Sequence, residues 1–185
     1  SNKILMGLHP RPDGDSLGSC AAMKYVLEGL GKTVRLVSKD KISEGLEYYG
    51  FNKEVEYGVD IQNIDLKEFD CIIFLDHGSL SDYSEEFKEK LRQIKVINID
   101  HHSTNSYYGD MNYIDTKAPS CCSLLFEFFE SAREKFDRDL SLRLLVGMCT
   151  DTAFFIHGNS VENLKKAAVL LERGKLDYKK DLYNP

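Results

Sequence analysis

The chain has 185 residues, of which 42% are hydrophobic and 29% are charged, a composition typical of a globular domain large enough to bury a core. Its formal net charge of −6 argues against a broad basic surface that would bind long duplex DNA. No apolar run approaches the roughly 18 residues that cross a bilayer, and no signal-peptide pattern is present. We therefore expect a cytoplasmic protein that does not bind membranes.

Strands and helices alternate along the first half of the chain. Residues 41–69 are less regular and predict one or two short helices with a small strand near 54–57. Such alternation predicts an α/β fold, in which helices flank both faces of a mostly parallel, twisted sheet of about five strands. The apolar segments predict strands at 3–9, 33–38, 70–78 and 95–102, and the amphipathic segments predict helices at 16–30 and 84–94.

The second half of the chain is predicted to be helical. Pro119 opens a helix over 119–136, and a mostly apolar helix covers 138–152. A third helix covers 160–174, with Ser160 as its cap and Gly174 as its stop. The apolar residues of these helices suit either a core or the interface of a homodimer, and the sequence leaves both open.

The five cysteines show no C-x-x-C spacing. An odd number of cysteines without a signal peptide indicates free thiols in a reducing compartment. We expect all five to be small core residues: Cys20, Cys71, Cys121, Cys122 and Cys149.

Acids and histidines follow three of the predicted strands. Because ligands bind outside the carboxyl ends of parallel strands, these three stretches are expected to meet in one crevice. Asp151, in the segment GMCTDTAFF, is open to interpretation as a ligand or as a helix cap, and His77 and His157 are interpreted as structural or peripheral. The residues at the strand ends are His9, Asp13 and Asp15, then Asp76 and His77, then Asp100, His101 and His102.

So many carboxylates in one crevice repel one another unless a cation lies between them. Mixed imidazole and carboxylate ligands suit Mn²⁺, with Mg²⁺, Co²⁺ or Zn²⁺ as alternatives. The number of ligands exceeds what one ion needs. The sequence therefore predicts two divalent ions roughly 3.5–4 Å apart, bridged by a carboxylate, an arrangement that suits phosphoryl chemistry.

Four segments in order, HPRPDGDSLGS, FLDHG, NIDHHSTN and GMCTDTAFF, resemble the motifs of the DHH phosphoesterase family over nearly the whole chain. Within that family, DHHSTN with the following GDMNYIDTKAPSC is most similar to the nanoRNases. Those enzymes degrade very short oligoribonucleotides and remove phosphate from 3′-phosphoadenosine 5′-phosphate. Ala153 stands where nanoRNases often have glycine.

The resemblance implies a role for each matching residue. His102 faces the substrate phosphate as a hydrogen-bond donor or general acid, and Asp100 orients the imidazoles. Asn105 orients the loop or touches the phosphate. The implied Mn²⁺ ligands are His9 and Asp13 for one ion, Asp15, His101 and Asp151 for the other, and Asp76 as the bridge.

The resemblance also implies a two-metal hydrolase that cleaves phosphodiester or phosphomonoester bonds of short oligonucleotides or of 3′-phosphoadenosine 5′-phosphate through a metal-bridged hydroxide. A manganese-dependent inorganic pyrophosphatase is the nearest alternative, because residues 76–78 resemble the DHN expected there. A processive exonuclease of RecJ type is a less suitable interpretation, because the chain is short and its net charge is negative. A non-catalytic nucleotide-binding or regulatory module is the alternative from another class.

Members of the family usually continue into a smaller C-terminal substrate-binding domain of the DHHA1 type, which carries a glycine- and histidine-rich motif. Residues 1–185 lack that motif. We therefore expect residues 1–185 to be the catalytic domain alone, with metal binding retained and weak activity on nucleotides that the further domain restores.

Overall fold

The computed structural model describes residues 1–183 and contains a six-stranded sheet in the order β3-β2-β1-β4-β5-β6. Every pair of neighbouring strands is parallel. The predicted α/β fold is thereby confirmed, and the last two residues of the expected domain, 184 and 185, lie outside the described residues. The strands are β1 (Lys3–Gly7), β2 (Thr33–Ser38), β3 (Glu56–Tyr57), β4 (Cys71–Leu75), β5 (Lys95–Asp100) and β6 (Met111–Ile114).

Helices or short helical turns cover both faces of the sheet. Both faces need this cover, because successive residues of a strand point to opposite faces and apolar residues lie on each. Ile4 and Met6 of β1 pack into one apolar cluster with the large helices, whereas Leu5 packs into a second cluster on the opposite face. All five residues of β4 are buried, as expected for a strand covered on both faces. The helices are α1 (Gly14–Gly29), α2 (Glu44–Glu47), α3 (Glu85–Leu91), α4 (Cys121–Ser131), α5 (Arg138–Asp151) and α6 (Val161–Gly174).

Several boundaries differ from the sequence predictions for identifiable reasons. The helix predicted over 119–136 ends at Ser131, because Arg133 adopts a left-handed conformation and Phe136 folds back onto the ring of Phe126. Gly174 does not stop α6. It lies inside the helix against Ser141, and Lys175 takes the left-handed position instead.

Strand β6 was missed by the sequence analysis because it is a short edge strand of four residues with three of them exposed. All five cysteines are buried and free, as expected. No helix among the described residues is long and apolar enough to cross a membrane.

Helices α1 and α5 pack closely through two glycines. A Cβ atom on Gly18 would lie 2.6 Å from the carbonyl oxygen of Arg143, a backbone atom that cannot move aside independently. A Cβ atom on Gly147 would lie 2.6 Å from Oδ1 of Asp15. The absence of side chains at these two positions therefore sets both the helix spacing and the position of a buried carboxylate.

Gly18→Ala is expected to lower the free energy of unfolding by about 2–3 kcal/mol, because the added methyl group overpacks the contact between α1 and α5. Gly29→Ala in the same helix is the matched control. Its Cβ would meet no atom within 4 Å, so it should raise stability by about 0.5–1 kcal/mol. Urea denaturation of both variants measures this difference, and equal stabilities would contradict the close packing.

Candidate metal centre

The carboxyl ends of β1, β4 and β5 lie side by side in the sheet, and the ends of two helices meet them. Asp13 caps the N-terminus of α1, and Asp151 is the last residue of α5. This arrangement brings all six predicted metal ligands together. Their donor atoms form two groups, each within 4.8 Å, consisting of His9, Asp13 and Asp76 in one and of Asp15, His101 and Asp151 in the other.

In the first group, His9 presents its Nε2 atom to two carboxylates. Nε2 lies 3.7 Å from Oδ1 of Asp13 and 3.6 Å from Oδ2 of Asp76. Its Nδ1 atom donates a 2.8 Å hydrogen bond to the carbonyl of Pro10, which directs Nε2 toward the two carboxylates. Burial lowers the pKa of His9, but the contacts with Asp13 and Asp76 outweigh burial and raise it to about 10.

In the second group, His101 is held in the same way. Nδ1 donates to the carbonyl of Ala118 at 3.2 Å. Nε2 lies 3.4 Å from Oδ1 of Asp76, 3.5 Å from Oδ2 of Asp151 and 3.9 Å from Oδ2 of Asp15. Burial lowers the pKa of this imidazole, but the neighbouring carboxylates outweigh burial and raise it to about 9.

Asp76 connects the two groups, because one carboxylate oxygen faces His9 and the other faces His101. The residue is buried and has a φ of +55°, a left-handed conformation that is uncommon outside glycine. Its backbone N–H donates to the carbonyl of Ile99 at 3.0 Å, which ties it to β5. Strained backbone of this kind concentrates at functional sites.

Asp15 has a second, structural role that the sequence analysis missed. Its carboxylate accepts hydrogen bonds from the backbone N–H groups of Cys121 (2.5 Å) and Cys122 (2.9 Å) at the start of α4. Burial raises the pKa of Asp15, and the charges of Asp76 and Asp151 raise it further. The N-terminus of α4 therefore holds one ligand of the second group in place.

The donor set fits divalent cations. Oδ1 of Asp76 and Nε2 of His101 are buried atoms without a hydrogen-bond partner among the described residues. The facing acid and imidazole atoms lie 3.4–3.9 Å apart, farther than in ordinary hydrogen bonds. Neutral imidazole nitrogens and carboxylate oxygens are ligands that Mn²⁺ and similar ions accept. A cation between these atoms would satisfy the orphaned pair.

His102 lies beside the two ligand groups, and hydrogen bonds from the loop beneath it fix its ring. Its Nδ1 forms a 2.7 Å hydrogen bond with Oδ1 of Asp100, and this bond raises the pKa of the imidazole. Asp100 in turn accepts a 2.6 Å hydrogen bond from the amide of Asn105. The side chain of His102 is 47% exposed, so its Nε2 is available to a ligand in the cleft.

A buried amide network continues below this loop, and its sequence signal was overlooked. Asn98, fully buried in β5, accepts from the Asn105 amide at 2.9 Å and donates to the hydroxyl of Tyr108 and the carbonyl of His77. The sequence signal was Asn98 itself, a polar residue within the apolar run of a predicted strand. Both polar groups of Asn105 are occupied, so its contacts favour loop orientation over phosphate contact.

Asn105→Ala removes the donor that orients Asp100 and, through it, His102. For the phosphoester hydrolysis that the sequence predicts, we expect this variant to reduce kcat about tenfold while changing the affinity for Mn²⁺ less than twofold. Asn63→Ala, at an exposed position on a short helical turn, is the control. Steady-state kinetics and calorimetry check the two effects separately. Equal loss of metal binding and kcat would assign Asn105 to the metal groups instead.

The two remaining histidines differ in their surroundings. Burial lowers the pKa of His77 to about 4, and its ring stacks on Tyr83 with centroids 5.3 Å apart. His157 is exposed after α5. Although its ring is packed internally, His77 also borders a cleft of about 350 Å³ that opens onto His9, Asp76 and His102.

Comparisons with known proteins show what this chain is similar to. The chain is 28% identical over 173 residues to NrnA of Thermus thermophilus, a bifunctional oligoribonuclease and PAP phosphatase, covering 92% of this chain and 50% of that protein. It is 24% identical over 168 residues to a probable manganese-dependent inorganic pyrophosphatase of Enterococcus faecalis, covering 83% and 49% respectively. The chain thus spans about half the length of these curated relatives.

Among solved structures, an exopolyphosphatase-related protein from Bacteroides fragilis aligns with a TM-score of 0.84 at 23% identity, over 100% of this chain and 57% of that chain. A likeness at this identity shows the fold. The sequence match to the N-terminal domain of the DHH family extends over residues 3–149 and includes five of the six clustered ligands. The chain belongs to the DHH family.

Proposed function

We propose that the chain is the catalytic domain of a divalent-metal-dependent phosphoesterase that acts on short oligonucleotides and on nucleotides with a terminal phosphate. The observation that carries this proposal is the position of Asp76, whose two oxygens face one imidazole in each ligand group. Such a shared carboxylate is the arrangement by which proteins hold two ions on one phosphoryl group.

Each ligand group would hold one ion, and Asp76 of the first group would also serve the second, because its Oδ1 faces His101. Mn²⁺ is the ion we propose, and Mg²⁺ or Co²⁺ suits the same donors. Bound ions would neutralise phosphate charge and supply a nucleophilic water near neutral pH. The protein orients the ligand nitrogens through the carbonyls of Pro10 and Ala118, so that both imidazoles present Nε2 to the cleft.

His102 is the group that we assign to the leaving oxygen. Its Nδ1 is fixed by Asp100, and its exposed edge faces the cleft. A protonated imidazole held in this way can donate a hydrogen bond to a phosphate oxygen and pass its proton to the departing alkoxide. Asp100 keeps the ring in that orientation and favours its charged form.

The substrate class rests on the relatives, whose proteins are about twice as long as this chain. The similarity to NrnA and the segments that follow the DHH motif favour short oligonucleotides and 3′-phosphoadenosine 5′-phosphate. The similarity to a probable manganese-dependent pyrophosphatase supports inorganic pyrophosphate as the second candidate. The homodimer, the cytoplasmic location and the weak activity of this domain alone stay predictions.

A substrate panel tests the proposal. A 5′-phosphorylated RNA dinucleotide, 3′-phosphoadenosine 5′-phosphate and pyrophosphate are incubated with the chain and Mn²⁺, with EDTA as the metal-free control. We expect Mn²⁺-dependent release of mononucleotide from the dinucleotide and of phosphate from the second substrate. Faster hydrolysis of pyrophosphate than of either nucleotide substrate would show that the proposed substrate class is wrong and that the chain is a pyrophosphatase. Nucleotide binding without turnover of any substrate, by the chain or by a longer protein that contains it, would indicate a binding module.

A further inference from the structure

A second cavity adjoins the metal centre on the side of β2. This β2-side pocket has a volume of about 390 Å³ and is lined by Leu8, Arg11, Asp40, Val59, Ile61 and Tyr83, among other residues. His9, Pro10 and Asp82 line both this pocket and the cleft that contains the metal ligands. A molecule with a phosphate in the cleft could therefore extend directly into the pocket.

The pocket lies at a place where this type of sheet binds nucleosides. The strand order β3-β2-β1-β4-β5-β6 is that of the dinucleotide-binding folds, in which an acid after the second strand hydrogen-bonds the ribose. Asp40 follows the end of β2 by two residues. Oδ2 of Asp40 accepts a 3.0 Å hydrogen bond from the N–H of Arg11, which fixes the carboxylate while leaving further lone pairs free.

The charges around the pocket disfavour a second phosphate. With the His9 imidazole neutral as a metal ligand, three carboxylates line the pocket against two basic side chains, and Nζ of Lys39 already lies 3.1 Å from Asp60. An anion would face this excess of negative charge. Carboxylate oxygens instead accept hydrogen bonds from ribose hydroxyls and from exocyclic amino groups of bases.

The inner wall suits an aromatic ring with a polar edge. Val59 and Ile61 supply apolar surface, and Tyr83 contributes the edge of a buried ring that stacks on His77. The Tyr83 hydroxyl forms no hydrogen bond with any residue that the structure describes. The ring of Tyr83 is buried, but its hydroxyl is not among the buried polar atoms without a partner, so it is open to the pocket and available to a ligand atom.

We propose that the β2-side pocket binds the nucleoside attached to the phosphate that occupies the metal centre, with Asp40 contacting the ribose and Tyr83 contacting the base. This inference rests on the proposed function, since it assigns a subsite to the same substrate.

The test compares two probes that differ only in the base, adenosine 5′-monophosphate and ribose 5-phosphate, each titrated calorimetrically into the Mg²⁺-loaded chain. Val59→Trp narrows the pocket from a half-buried wall position, and Tyr83→Phe removes only the hydroxyl. Val169→Trp, at a half-buried position on α6, is the matched control.

We expect Val59→Trp to raise the Kd for adenosine 5′-monophosphate at least tenfold and Tyr83→Phe to raise it about threefold. The Kd for ribose 5-phosphate should change less than twofold in both variants, and Val169→Trp should alter neither probe. Equal weakening of both probes, or no effect on either, would overturn the pocket assignment.

Amide chemical shifts of the Mg²⁺-loaded chain locate the base independently of the variants. Both probes carry the ribose and should shift residues 38–40, whereas adenosine 5′-monophosphate alone should shift residues 59–62 and Tyr83. Base-dependent shifts elsewhere, or no binding of either probe, would reject the pocket. Base-dependent shifts there without turnover of the dinucleotide would reject the proposed hydrolysis alone, whereas turnover without them would reject the pocket alone.

Discussion

Asp76→Asn is expected to lower hydrolysis at least about 10³-fold and to reduce bound Mn²⁺ from two ions per chain to one or none. The amide keeps the size of the side chain but removes the negative charge that lies between His9 of one ligand group and His101 of the other. Asparagine also tolerates the left-handed backbone, whose φ is +55° at this position, so the fold should persist. Metal analysis by mass spectrometry and steady-state kinetics measure the two losses.

Thermal unfolding provides a second measurement on the same variant. At a free Mn²⁺ concentration about 100 times the Kd, each occupied site stabilises the folded state by about 2.7 kcal/mol. For a chain of this size that corresponds to a rise in Tm of roughly 5–10 °C per site. Asp76→Asn should lose most of the rise, whereas Asp65→Asn, an exposed cap outside the cleft, should retain it. Two tight Mn²⁺ sites in Asp76→Asn would refute the bridge.

His102→Gln is expected to reduce kcat by about 10²–10³-fold while leaving the number of bound metal ions unchanged. Its imidazole lies beside the ligand groups and is oriented by Asp100, so its loss removes a proton donor from the cleft. Mn²⁺ titration should show an affinity within about twofold of the parent chain. Asp100→Asn should show a smaller loss, about 10–100-fold, because the ring stays but its orientation and charge are less favoured.

Two comparisons separate this role from a structural one. His157→Gln removes an exposed histidine after α5 and should leave kcat unchanged. A nitrophenyl phosphate ester releases nitrophenol, a leaving group of low pKa that needs little protonation. His102→Gln should therefore slow hydrolysis of this ester much less than hydrolysis of an RNA dinucleotide. An equal loss on both substrates would contradict proton donation by His102.

The parts of this site that follow strands could be predicted from the sequence. The apolar runs of β1, β4 and β5 define central parallel strands, and polar residues directly after such strands must lie at one edge of the sheet. The proximity of His9 to Asp76 then follows from the pairing of β1 with β4, whereas the position of Asp151 beside His101 depends on the packing of α5 and does not follow from the strand order.

Other features depend on contacts between distant parts of the chain, which periodicity does not report. Asp15 is held by N–H groups at Cys121 and Cys122, more than a hundred residues away. Edge strand β6 is too short and too exposed to stand out from a loop. The left-handed conformation of Asp76, directly after β4, is not apparent from the apolar run that precedes it, although aspartate adopts this conformation more readily than most residues.

The central claim is that Asp76 and the two ligand groups hold a pair of divalent cations, and anomalous diffraction from a crystal grown with Mn²⁺ tests it most directly. We predict two manganese peaks, one among His9, Asp13 and Asp76 and the other among Asp15, Asp76, His101 and Asp151. A crystal with ample manganese that shows no peak at these residues, with their side chains turned away from one another, would contradict the account.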